Sequence, residues 1–330
     1  MKGSNMAEQT GIANTIDTAD KEAQYDDCVK KLLAKKIILA WIMKECVPEF
    51  KRFSIQQIAK DCIEGEPDVS KVAVDQDEMD YMEIVADESI EGMNTEDNSI
   101  KEGRVFYDIK FSAVVPDSQE PVQLIINIEA QKDDKTPYPL IKRAIYYVSR
   151  MISAQKNKVF TGKHYEKIRK VYSIWIQMNV DDEKANTITK YKISEEHTVG
   201  NVSEEERNYD LLTIMMLRLG SADKANEKSI LRLLDVLLSA DTRPEEKKAI
   251  LEKDFDIPMS TEMSEEANVM CNLGEGIRER AVLENTANII INIMQQKKVS
   301  FEEAFASIFG SEKDKNDIKA FVDKKFALSK

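Results

Sequence analysis

Residues 104–115 read RVFYDIKFSAVV and residues 122–131 read VQLIINIEAQ, with the polar break PDSQEP between them. Both runs are rich in β-branched and aromatic residues, and a short break with proline at each end joins them. The pair therefore reads as an antiparallel hairpin. Successive strand side chains point to opposite faces, so Glu129 and Gln131 share one face of the second strand. Val122, Leu124, Ile126, Ile128 and Ala130 take the other face and build a core. Asp108 interrupts the first apolar strand. Two carboxylates on paired strands can converge on one hard cation, and the backbone carbonyl of Ala130 can add a third oxygen. Magnesium, or manganese in its place, suits such an open oxygen site because it retains several waters. Taken singly, an acid at a strand end is more often solvated than catalytic. The weight comes from Asp108, Glu129 and Gln131 together, with a helix rich in tyrosine and arginine following at once.

Working outward, residues 1–20 are polar and aperiodic and read as a tail. A helix is expected over residues 25–45, with Val29, Leu32, Leu33, Ile37, Leu39, Ala40 and Met43 largely on one side. A short helix follows over 55–63. The stretch 64–100 holds Gly65, Pro67, Gly92, Asn94 and Asn98 and reads as a long irregular excursion. Beyond the hairpin, Thr136 and Pro137 suit the cap and first position of a helix running to about residue 157. Its core stripe is Ile141, Ile145, Val148 and Ile152. Strands are expected over 170–180 and 187–193. From residue 203 the chain reads as helical, over 208–219, 228–239, 244–253, 265–297, 301–309 and 315–326, with Gly310 ending one helix. Met215, Met216, Phe305 and Phe309 read as packing. The domain organisation expected is a tail over 1–20, an α/β domain over 21–195 and a helical region over 196–330.

Composition narrows the chemistry. The chain has 330 residues, is 42% hydrophobic and contains no apolar run long enough to cross a bilayer. No secretion signal is expected, and Cys28, Cys46, Cys62 and Cys271 show no metal-finger spacing, so a reducing cytoplasmic setting with buried free thiols is expected. His164 and His197 are the only histidines, which argues against a histidine-rich zinc site or a Ser-His-Asp triad. The net charge of −13 argues against general nucleic-acid affinity, but the charge is segregated. Residues 61–97 hold 14 acidic residues against the single base Lys71, whereas residues 132–170 hold 11 basic against 3 acidic. The second block can present a basic face to a polyanion, or it can be an ordinary solvated surface; composition weighs these equally. Within it Arg143, Tyr147 and Arg150 fall on one helical stripe, and arginines there can hold phosphates. Gln155, near the end of the same helix, suits either polar packing or a site. Asp26 and Asp27 suit charges complementing a helix N-terminus. One of Glu91, Asn94, Glu96 or Asp97 can complete a metal shell.

The ordered set YDDCVKKLL (25–33), EGMNTEDNSI (91–100), EGRVFYDIKF (102–111), INIEAQ (126–131), PLIKRAIYYVSRMISAQ (139–155) and HYEKIRKVYSIWIQMN (164–179) resembles the PD-(D/E)XK nuclease family transposases, relatives of the recombination-promoting nucleases. The likeness covers residues 25–195 well and the helical remainder loosely. It implies a mixed β-sheet of restriction-endonuclease-like type flanked by helices. It implies metal-dependent cleavage of DNA in transposition or recombination, with Asp108, Glu129 and Gln131 at the active site. Asp26 and Lys30 fall in the stretch resembling the family's entry motif, where a polar residue approaches the metal. The broad superfamily ends its motif in lysine; Gln131 stands there instead. A neutral amide can orient water but supplies no positive charge. Lys110, on the face of Asp108, is a conceivable substitute. The alternatives are a catalytically weak or inactive nucleic-acid-binding module and a helical protein-interaction protein. A homo-oligomer is compatible with the sequence, and no membrane partner is expected.

Overall fold

The apolar run of residues 122–131 becomes a central strand because its neighbours supply hydrogen-bond partners on both edges. In the computed structural model, residues 21–69, 96–99, 103–116, 122–133, 136–220, 229–239, 242–308 and 315–328 are described. The expected tail, Glu91, Asn94 and Gly310 lie outside them. The chain opens with α1 (residues 21–33) and α2 (Lys36–Cys46), then the short α3 (Ile55–Gln57), which continues as a π-helical turn, Ile58–Cys62. Next come β1 (Ile63–Val69), β2 (Glu96–Ser99), β3 (Gly103–Phe106), β4 (Ile109–Val115), β5 (Val122–Asp133), α4 (Leu140–Ser153), β6 (Val171–Asn179) and β7 (Thr187–Lys192). The remainder is α5 (Glu206–Tyr209), β8 (Leu212–Arg218), α6 (Ile230–Leu238), α7 (Pro244–Phe255), α8 (Thr261–Lys297), α9 (Phe301–Ala306) and α10 (Lys315–Leu328).

Six strands form one mixed sheet in the order β1-β4-β5-β6-β8-β7, and β2 and β3 form a separate ribbon. β4 and β5 are antiparallel as expected, with Ile109 opposite Ile128. β5, β6 and β8 run parallel, and β7 closes the edge antiparallel to β8. The fold is the mixed α/β sheet with flanking helices of restriction-endonuclease-like type.

Register fixes what each face carries. Glu129 lies beside Trp175, and Trp175 beside Met216, so these three share one face of the sheet. α4 covers that face: Leu140, Ala144, Tyr147, Val148 and Met151 pack with Tyr107, Val171, Trp175, Ile214 and Met216. The opposite face carries Ile126, Ile128, Ala130, Ile174 and Ile176, all buried. There Tyr172 donates from its hydroxyl to Glu49 Oε2 at 2.7 Å, joining the sheet to the turn after α2.

Several elements differ from expectation. The first helix is two, because the α-helical ladder breaks at Ala34–Lys35 and restarts at Lys36. The acidic excursion begins as a strand, β1, paired with β4. The strand expected over 104–115 is interrupted at Tyr107 and Asp108, which turn the chain from the small ribbon into the main sheet. α4 starts at Leu140 after Pro139, not at Thr136, whose hydroxyl bonds the Tyr138 carbonyl. Its buried stripe is rotated by about one position: Ala144 is buried while Ile145 is half-exposed, with Ile141 and Ile152 packing at the margin. The helix expected over 208–219 is largely the strand β8. Its sequence LTIMMLR lies inside the sheet, where both faces are covered and the apolar run need not alternate.

The chain divides into two compact units, Asp26–Ala267 and a second comprising residues 1–25 with Asn268–Lys330. In the second, α8, α9 and α10 share a core of Ala287, Ile290, Phe301, Ala304, Phe305, Ile318 and Val322. A capping box, Ser300 with Glu303, starts α9. Cys28, Cys46, Cys62 and Cys271 are buried and form no disulfide. Among the described residues no helix is long and apolar enough to cross a membrane.

Candidate active site

Asp108 occupies the bend entering β4, and Glu129 lies near the C-terminal end of β5. Each carboxylate is fastened to the other residue's strand. The backbone N–H of Asp108 donates to Glu129 Oε1 at 3.3 Å, and the N–H of Ala130 donates to Asp108 Oδ2 at 2.9 Å. Both residues are almost fully buried, at 5% and 2% exposure. An ionised carboxylate in such a place is costly unless hydrogen-bonded and offset by positive charge. The reciprocal backbone bonds supply the first condition.

Positive charge comes from two other elements. Lys30 of α1 is 1% exposed, and its ammonium lies 2.8 Å from Asp26 Oδ2 and 3.1 Å from Asp108 Oδ1. Burial alone would lower the Lys30 pKa, but Asp108 and then Asp26 outweigh it and draw it upward. Burial also pushes the Asp26 carboxyl up, to about 6; Lys30 opposes that rise and Asp108 and Asp27 assist it. The two partners thus move in senses that disagree for a simple ion pair. One ammonium shared between two acids accounts for both: Lys30 stays charged, and Asp26 is the under-compensated member.

Arg143 of α4 supplies the second cation. Its Nη2 donates to the Tyr147 hydroxyl at 3.0 Å, and its guanidinium lies over the rings of Tyr147 and Trp175, 5.1 and 5.7 Å from their centroids. Burial would depress its pKa; the field and hydrogen bond of Tyr147, then Glu129 and Tyr138, raise it instead. Its Nε is buried with no hydrogen-bond partner, a donor in reserve. Tyr147 is itself nearly buried, edge-on to Tyr107 and beside Trp175, so it holds Arg143 from within the core.

The other expected residues separate into two groups. Gln131 is half-buried on the face of Glu129, in a row with Gln177 of β6 and Arg218 of β8. This row lies at the carboxyl ends of the parallel strands, where open α/β sheets bind ligands. Gln177 and Arg218 join the site through the sheet register; their one sequence signal is a polar residue ending an apolar strand, as at Gln131. Arg150 is 4% exposed and donates to the Tyr146 hydroxyl at 3.2 Å, so it lies beneath the surface rather than on it. Gln155 is brought to the loop before β6, where it donates to the Arg169 carbonyl at 2.9 Å and accepts from the Arg169 N–H at 2.8 Å. Those two bonds account for its burial as packing. Lys110 is buried with its ammonium over the Tyr107 ring. Glu96 and Asp97 fall on β2.

The donors suit a hard divalent cation. Asp108, Glu129 and the Ala130 carbonyl offer oxygen only. Among the described residues no group of three or more His, Cys, Asp and Glu side chains comes together. A metal here would be held by the carboxylates of Asp108 and Glu129, with backbone oxygen and water left to complete its shell, which suits magnesium.

A model of the PD-(D/E)XK nuclease family transposases matches residues 94–275. The chain belongs to that family. No curated protein and no solved structure gives a match.

Proposed function

We propose that this protein is a magnesium- or manganese-dependent endonuclease that hydrolyses DNA phosphodiester bonds in transposition or recombination. The observation that carries the reading is the pair of buried carboxylates, Asp108 and Glu129, each hydrogen-bonded to the backbone of the other's strand. Asp108, Glu129 and the carbonyl of Ala130 hold the metal. Once bound, it supplies Lewis-acid polarisation of the phosphodiester and a water of lowered pKa. Gln131 orients the attacking water through its amide. Arg143, with an unused donor and a fixed guanidinium, meets charge developing on the phosphoryl oxygens.

The basic block faces the DNA. Lys142, Lys156, Lys158, Lys163 and Lys167 are exposed and provide the long-range attraction that a chain of net charge −13 otherwise lacks. Arg143, half-buried, and Arg150, almost fully buried, add positive charge from within α4, and Tyr147 acts through Arg143. The test is cleavage of supercoiled plasmid in magnesium or manganese. Wild type nicks or linearises it, while Asp108→Ala and Glu129→Ala do not. An inert wild type that still binds DNA indicates a binding module in which the neutral Gln131 has ended catalysis.

A further inference from the structure

Gln131 leaves the site without the positive charge that a lysine at that position supplies. Lys30 stands where it can compensate. It comes from α1, outside the matched residues 94–275, yet its ammonium lies 3.1 Å from the Asp108 carboxylate. It is 1% exposed, and lysine is almost never that deeply buried unless paired. Asp26, one helical turn earlier, holds it from the other side at 2.8 Å. Lys110, the other lysine on this face, is engaged with the Tyr107 ring.

We infer that Lys30 is a second cationic catalytic residue of this site, distinct from Arg143, meeting the scissile phosphate beside Asp108, and that Asp26 positions it. The assignment rests on the nuclease reading above. In the reaction a water oxygen bonds to phosphorus as its proton passes to solvent. One P–O ester bond breaks, and the leaving oxygen takes a proton from water. Lys30 stays an ammonium throughout and offsets the negative charge that builds on the non-bridging oxygens. The same charge also repels a divalent cation at Asp108, so Lys30 lowers metal affinity while raising rate.

That opposition makes the test decisive. Lys30→Gln keeps hydrogen-bonding atoms but removes the charge; Lys30→Arg keeps the charge. Manganese binding is measured by calorimetry without DNA, and plasmid cleavage under single-turnover conditions at saturating manganese. Lys30→Gln is expected to bind manganese at least about tenfold more tightly, the value for unit and double charges roughly 5 Å apart in bulk water and therefore a lower bound for a sheltered site. It is expected to cut about 10²-fold more slowly. Lys30→Arg is expected to hold wild-type manganese affinity and most of the rate. Loss of both binding and cleavage in a folded Lys30→Gln would make Lys30 a structural prop and overturn the assignment. Wild-type cleavage in that variant overturns it too and leaves the nuclease reading standing. A wild-type protein that neither binds manganese nor cuts overturns both. If Lys30→Gln does not fold, the arginine variant decides: retained cleavage supports the assignment and lost cleavage rejects it.

Discussion

Replacing Gln155 by alanine separates packing from chemistry within the motif-bearing helix region. The side chain is 2% exposed and makes two hydrogen bonds to the backbone of one residue, donating to the Arg169 carbonyl at 2.9 Å and accepting from the Arg169 N–H at 2.8 Å. Alanine removes both and leaves the backbone groups of Arg169 without those partners. At about 1–1.5 kcal/mol per bond, the loss is about 2–3 kcal/mol. For a domain of this size that corresponds to a fall in melting temperature of about 4–12 °C. Thermal unfolding by circular dichroism measures it. Plasmid cleavage well below the transition should stay within about twofold of wild type, because Gln155 touches neither Asp108 nor Glu129 in this arrangement. An unchanged melting temperature, or cleavage lost with the melt intact, would return Gln155 to the active site and refute the packing argument.

Asp26→Asn tests the raised carboxyl. A folded-state pKa of about 6 against an ordinary 3.8 means that stability from this group is complete below about pH 4 and is lost as pH rises through 6. Wild type should therefore lose at most about 3 kcal/mol relative to the variant between pH 4 and 7 in urea unfolding; parallel pH profiles would contradict this. The Arg143→Ala, Arg150→Ala double variant should weaken DNA binding and also lower stability by about 1–3 kcal/mol, since both side chains are largely sheltered and Arg150 is 4% exposed. An unmoved unfolding midpoint would place them on the surface after all. Replacing exposed Lys156, Lys158 and Lys163 by alanine should leave the melting temperature alone and flatten the salt dependence of DNA affinity by up to about three units. A wild-type slope would remove this face from the interface.

The hairpin is legible because two apolar runs rich in β-branched residues flank a short break bounded by Pro116 and Pro121, and because Asp108 and Glu129 stand out against those runs. β8 was not. LTIMMLR is buried on both faces, and a short apolar run without alternation reads equally as a helix. The face of α4 was misjudged by about one position because Ala144, small and buried, carries less signal than half-exposed Ile145. Asp26 and Lys30 are an ordinary i,i+4 pair by sequence, while the contact of Lys30 with Asp108 depends on how α1 meets the sheet, which no local pattern encodes. For the same reason the burial of Arg150 and the role of Gln155 emerged only from tertiary neighbours.

The central claim is that Asp108 and Glu129 hold one catalytic divalent metal. Crystals of the wild-type protein soaked in manganese, with an anomalous difference map recorded, test it most directly. The account predicts one strong peak within about 2.5 Å of a carboxylate oxygen of Asp108, a carboxylate oxygen of Glu129 and the carbonyl oxygen of Ala130. A map with no peak there at millimolar manganese, or with manganese bound only at other acids, would contradict it.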